Sequence, residues 1–131
     1  MATHNLIDVY LRVIKAFNEN DAQTIQQQVA PDVKYVFHGQ NLVSGVYYGI
    51  DGVREIFYKA KELTGGTASF EPIDVLANDT TVMAWGRFRG ARNGDDFEIN
   101  HAYYYRFDEH GRFIEGHTIP ADQHLANQFW S

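Results

Sequence analysis

Between Phe97 and Phe107 the odd positions read Phe97, Ile99, His101, Tyr103, Tyr105 and Phe107, while the even ones read Glu98, Asn100, Ala102, Tyr104 and Arg106. A repeat of two residues is the mark of a strand that buries one face. That face is mixed. Burying a polar side chain such as His101 or Tyr103 costs roughly 1–3 kcal/mol if its polar atom finds no partner. These two must therefore be satisfied by neighbours or look into a cavity. Glu109, His110 and Gly111 supply a turn, and Arg112 to Ile119 returns as the partner strand. The segment from Asp95 to Pro120 is thus expected to be a long hairpin, the floor of a pocket that the rest of the chain closes.

Ahead of it the pattern is helical. Leu6, Val9, Tyr10, Val13, Ile14 and Phe17 recur at the spacing of one helix face. Asn20 or Asp21 can cap a second, shorter helix with Ala22, Ile25 and Val29 on its buried side, and Pro31 is expected to close it. Val33 to Phe37 reads as a short strand with His38 at its end. Gly39 to Gly49 reads as an ordered loop with a possible strand near Val46 to Tyr48. Asp51 is expected to cap a third helix bearing Val53, Ile56, Phe57 and Ala60, stopped by Gly65 and Gly66. Strands follow at Thr67 to Ala77, Thr81 to Ala91 and Asp95 to Asp108, joined by turns at Asn78-Asp79 and Asn93-Gly94. Trp85, Arg87 and Arg89 should face outward, opposite Ala84, Gly86 and Phe88. The last residues are expected to lay Leu125, Phe129 and Trp130 over an opening.

Helices first and an antiparallel meander afterwards predict an α+β fold: a curved antiparallel sheet wrapped around three N-terminal helices as a cone-shaped barrel, in a single domain over residues 1–131. The chain has no cysteine, so thiolate metal sites, disulfides and a Cys nucleophile are excluded. A net charge of -6 without a Lys/Arg cluster argues against nucleic acid as a partner. No apolar run reaches the ~20 residues that span a bilayer, and the start shows no leader pattern, so no membrane association and a cytoplasmic location are expected. No phosphate-cradling glycine loop is present, and no cofactor is expected.

The order of elements, with AFNENDAQTIQQQVAPDVKYVFHG, SGVYYGIDGVREIF, LTGGT followed by DVLAND, YYRFDEHGRF and the tail ADQHLANQFWS, resembles the nuclear transport factor 2-like superfamily, in its SnoaL-like and ketosteroid-isomerase-like branches. The resemblance covers nearly the whole chain. It implies the cone-shaped fold, a small hydrophobic or aromatic ligand, and a homodimer paired through the outer sheet face. Its members include isomerases, dehydratases, polyketide cyclases, epoxide hydrolases and binding modules, so it implies architecture more than chemistry. Set against the ketosteroid-isomerase pattern, Val13 stands at the Tyr position, Tyr103 at the late Asp position and Phe37 at the base position. The usual Asp base is therefore missing, and only His38 beside it stands near. The acid set of the epoxide hydrolases has no counterpart either, its last member falling near Thr118.

The residues themselves point to His101 and Tyr103, side by side on one strand face about 7 Å apart. An imidazole can move a proton and a phenol can hold an oxyanion. His38 is the alternative shuttle. Val13, Phe17, Phe37, Phe57, Phe88, Tyr105 and Thr118 are the expected lining. Whether Gly116 and Thr118 or Glu115 and His117 face the cavity is left open by the pattern, because one bulge reverses it. His38, His101 and His117 lack the spacing of a metal site, and none is expected. Two functions follow: a cofactor-independent isomerase, dehydratase or cyclase acting on a hydrophobic carbonyl or hydroxy compound, or a module of the same fold that binds without chemistry.

Overall fold

The structure, a computed structural model, describes residues 5–131. Its elements run α1 (Leu6–Asn18), α2 (Ala22–Gln27), β1 (Val29–Phe37), β2 (Gly45–Tyr48), α3 (Gly49–Leu63), β3 (Ser69–Ala77), β4 (Thr81–Arg92), β5 (Asp95–Phe107), β6 (Phe113–Pro120) and α4 (Gln123–Phe129). The six strands form one curved sheet in the order β2-β1-β6-β5-β4-β3, which wraps without closing. The α+β architecture read from the element order is the one observed. One pairing departs from the expected antiparallel sheet: β1 runs parallel to β6, with Val36 opposite His117 and Phe37 opposite Thr118. Side-chain alternation carries no information about strand direction.

Local chemistry explains most boundaries. Asn5 caps α1 by accepting from the amide of Asp8, and Asp21 caps α2 by accepting from that of Thr24. α2 stops at Gln27, so Val29 and Pro31, expected at the end of that helix, instead belong to β1. Pro31 is tolerated there because it lies in the stretch where the β1–β6 register shifts, where no ladder bond needs its missing N–H. Ala22, expected to be buried, is exposed. Asp51 does not cap α3; Tyr48 occupies that position without a side-chain bond, and Asp51 sits in the first turn, against the positive end of the helix dipole. Asn93 and Gly94 both take positive φ, 54° and 86°, as a two-residue hairpin turn of this hand requires.

The inner face of the sheet packs under α1 and α3. α1 contributes Val9, Tyr10, Val13, Ile14 and Phe17, and α3 contributes Val53, Ile56 and Ala60. Along β4, Ala84 and Phe88 are buried while Trp85 and Arg89 are exposed, as the alternation predicts. Burial also decides the face of β6. Gly116 and Thr118 point inward, and Glu115 and His117 outward.

Candidate functional site

β5 brings His101 and Tyr103 together inside the sheet. His101 Nδ1 lies 3.0 Å from the Tyr103 hydroxyl, and both residues are almost wholly buried. Burial drives the imidazole pKa down from 6.5 to about 3 and raises that of the phenol. At neutral pH the pair is therefore uncharged. Among the described residues the Tyr103 hydroxyl has no other hydrogen-bond partner, so it donates to Nδ1 and the ring proton sits on Nε2. Nε2 has no partner among the described residues. Two further buried donors stand in the same interior without one: Tyr10 Oη and Trp130 Nε1. Tyr10 packs on Tyr103 with ring centroids 6.4 Å apart. Trp130 packs on Phe88, whose ring in turn stacks on His101 at 5.6 Å.

A second buried chain lies beside it. The Tyr35 hydroxyl is 2.6 Å from Thr118 Oγ1 and 2.9 Å from the Tyr105 hydroxyl. Sequence reading placed Thr118 and Tyr105 in the lining and Trp130 over its opening, but gave no role in the site to Tyr35, Tyr10 or Phe70. The signal for Tyr35 was its place between Val33 and Phe37 on the buried face of β1. Its partner lies 83 residues away, beyond what a local pattern can register.

The expected hollow beside His101 and Tyr103 is filled by aromatic rings. Phe37, Phe70 and Phe88 surround His101 with centroids 6.3, 6.1 and 5.6 Å away. Two inward glycines make space for rings: a Cβ on Gly86 would lie 3.3 Å from the Tyr103 ring, and one on Gly116 would lie 2.8 Å from the Tyr105 ring. Val13, Phe17, Phe37, Phe88, Tyr105 and Thr118 are all buried in this interior, with Phe57 half-buried at its margin. The C-terminal segment covers one end. Phe129 stacks on Phe97 at 4.0 Å, and Arg92 holds the segment by donating to the carbonyl oxygens of Phe129 and Ser131.

His38 is not part of this interior. Its Nε2 lies 2.9 Å from His117 Nδ1, and His117 Nε2 lies 2.7 Å from the Glu115 carboxylate, a chain on the outer face of the sheet. The carboxylate fixes His117 with its proton on Nε2, so His38 donates to Nδ1. Burial first, and the neighbouring His117 second, lower the pKa of His38. The three histidines weighed as a metal site are thus divided between the two faces of the sheet.

Two surface concavities lie away from His101. One, of about 460 Å³, opens between α1, α2 and α3 and is lined by Phe17, Ile25, Phe57, Tyr58, Arg54 and Lys61 among others. The other, of about 420 Å³, lies at the β4–β5 hairpin end around Arg89, Gly90, Phe97 and Glu98.

Residues 10–116 match the SnoaL-like domain family. An uncharacterised protein of Mycobacterium tuberculosis is 29% identical over 126 residues, covering 95% of each chain. Among solved structures, a Xanthomonas campestris protein of unknown function with a cystatin-like fold superposes with a TM-score of 0.89 at 26% identity, over 98% of this chain and 99% of that one. IdmH of Streptomyces antibioticus, a candidate polyketide cyclase, superposes with a TM-score of 0.78 at 19% identity, over 95% and 99% of the two chains.

Proposed function

The chain belongs to the SnoaL-like domain family, and from that premise we propose that it binds a small hydrophobic or aromatic carbonyl compound in the interior between α1 and the sheet. The observation that carries this reading is that, of the four buried side-chain donors without partners among the described residues, three stand in this interior: His101 Nε2, Tyr10 Oη and Trp130 Nε1. A buried donor left unpaired costs about 1–3 kcal/mol, which a ligand offering oxygen acceptors recovers. The surrounding rings suit a flat apolar body. Because rings fill this interior, a ligand enters only if Phe129 leaves its stack on Phe97 and the rings beside His101 part. The fold shared with a candidate polyketide cyclase supports a carbonyl-rich ligand class.

Binding is favoured over proton shuttling because an imidazole whose pKa is about 3 is a weak base at neutral pH. Among the described residues the buried polar side chains besides the tyrosines are Thr64, His101 and Thr118, none of them a carboxylate. The second reading, cofactor-independent isomerisation, dehydration or cyclisation, keeps the neutral His101 as a donor that polarises the substrate carbonyl, with Tyr103 orienting it. A thermal-shift titration with flat aromatic ketones and the matching hydrocarbons decides the first point. Ketones should raise Tm in the wild type and lose that effect in His101→Phe, and equal shifts for ketone and hydrocarbon would remove the reading. His101→Asn separates the two readings, since lost turnover with retained binding marks an enzyme.

For the partner, we propose a homodimer through the outer sheet face. A row formed by Leu76, Met83, Tyr104, His117, Val36 and Val46 crosses that face, apolar except at His117, with charged pairs of both signs, such as Arg89 with Glu98, beside it. Sedimentation of Met83→Glu should show a monomer where the wild type shows a dimer.

A further inference from the structure

The groove between α1, α2 and α3 shares Phe17 and Phe57 with the margin of that interior, but its cations and its α2 wall are not used by the reading above. One face of α3 carries Arg54, Phe57, Tyr58 and Lys61, spaced i, i+3, i+4 and i+7, so two cations bracket two aromatic rings over about 10 Å of helix. Facing them are Phe17 and Asn20 at the end of α1 and Ala22 and Ile25 of α2, enclosing about 460 Å³. The floor is apolar and the Tyr58 ring is 70% exposed, so an apolar occupant would cover a large aromatic surface. The titratable cations of the lining stand out in a chain of net charge -6.

Both cations have capacity left. Lys61 Nζ sits 4.5 Å from the centre of the Phe17 ring and donates to the carbonyl oxygen of Ala68 at 3.0 Å, not to a carboxylate. Burial lowers its pKa, the condition under which a facing anion gains most. Among the described residues Arg54 makes one ion pair, with Asp51 at 3.7 Å, both side chains exposed. The nearby Asp21 carboxylate is taken up by the Thr24 amide and hydroxyl at 3.1 and 2.7 Å.

We propose that this groove binds a small hydrophobic carboxylate, its body between Ile25 and the Phe57 and Tyr58 rings and its carboxylate against Lys61, with the Arg54 charge at the other end of the groove adding to the field. A monoanion fits better than a phosphate dianion because the apolar walls make each added charge expensive to desolvate. The volume is that of a single ligand site and small for a protein segment. The inference stands apart from the interior site, which needs oxygen acceptors and no charge.

The test is an NMR titration of the full chain with 2-naphthoate and, in parallel, neutral 2-naphthylmethanol. The acid should bind more tightly than the alcohol and shift the amides of Ile25, Phe57 and Tyr58. The double variant Arg54→Gln, Lys61→Gln should weaken the acid about tenfold, as loss of charge-assisted contacts implies, and leave the alcohol within about twofold. Equal affinity for acid and alcohol, or an acid affinity insensitive to the double variant, overturns the groove. Shifts confined to His101, Tyr103 and Trp130 overturn it too while supporting the interior site, so the two readings fail separately.

Discussion

The same sheet carries a histidine chain on each face, and the two behave differently. Inside, His101 and Tyr103 sit among Phe37, Phe70 and Phe88 with no charge nearby, and burial holds the imidazole neutral with a pKa of about 3. Outside, His38 and His117 share a line of hydrogen bonds with the Glu115 carboxylate, whose own pKa is lowered chiefly by His117. Water and opposite charge remain within reach there, so the shift at His38 is a downward one without a large value. Residue type is shared by the two sites. Dielectric surroundings and the partner's charge set what each can do.

The contrast is sharpest in acid. Between pH 6.5 and about 3 the unfolded chain carries a proton on residue 101 that the folded chain refuses, so stability is present above 6.5 and falls with pH. For this group alone the loss is roughly 3 kcal/mol by pH 4. Urea unfolding at a series of pH values should show that slope in the wild type and a flatter one in His101→Phe. An unchanged slope would place the acid sensitivity elsewhere.

The next largest effect tests the packing that makes the inner face dry. In Gly116→Ala the new Cβ meets the Tyr105 ring at 2.8 Å and the Tyr35 ring at 2.9 Å. The cost should be about 1–3 kcal/mol, read from the denaturation midpoint, because neither ring has free space to move into. Thr118→Val keeps the shape but removes one of the two partners of the Tyr35 hydroxyl. A loss near 1 kcal/mol is expected from the same measurement, and a neutral result would mean that the Tyr105 hydroxyl alone satisfies Tyr35.

The smallest effect belongs to the outer face. His117→Asn should cost less than about 1 kcal/mol, as half-exposed polar chains do. Its signature is in titration: with the second imidazole gone, the pKa of His38 should move up toward 6.5 in an NMR pH series. A fall in stability as large as that of Gly116→Ala would erase the distinction between the two faces.

Much of this was legible in the chain itself. Period two from Phe97 to Phe107, the Asn93-Gly94 turn and the α1 stripe are local patterns, and each element lies within a few residues of where they put it. The His101–Tyr103 contact was legible as well, because residues two apart on a strand share a face. The role of Pro31 and the cap of α3 were misread because tertiary register and backbone geometry there outweigh local preference.

What the sequence alone determined is therefore the list of elements and which side chains share a face, since both follow from covalent geometry and the repeat of apolar residues. Only the tertiary structure decided which faces meet. The parallel β1–β6 pairing joins His38 to His117 and Tyr35 to Thr118, tyrosine rings fill the space beside Gly86 and Gly116, and α2 comes to face Arg54 and Lys61 of α3 across a groove. These contacts join segments far apart in the chain, and their free energy comes from three-dimensional packing and desolvation, which no local repeat encodes.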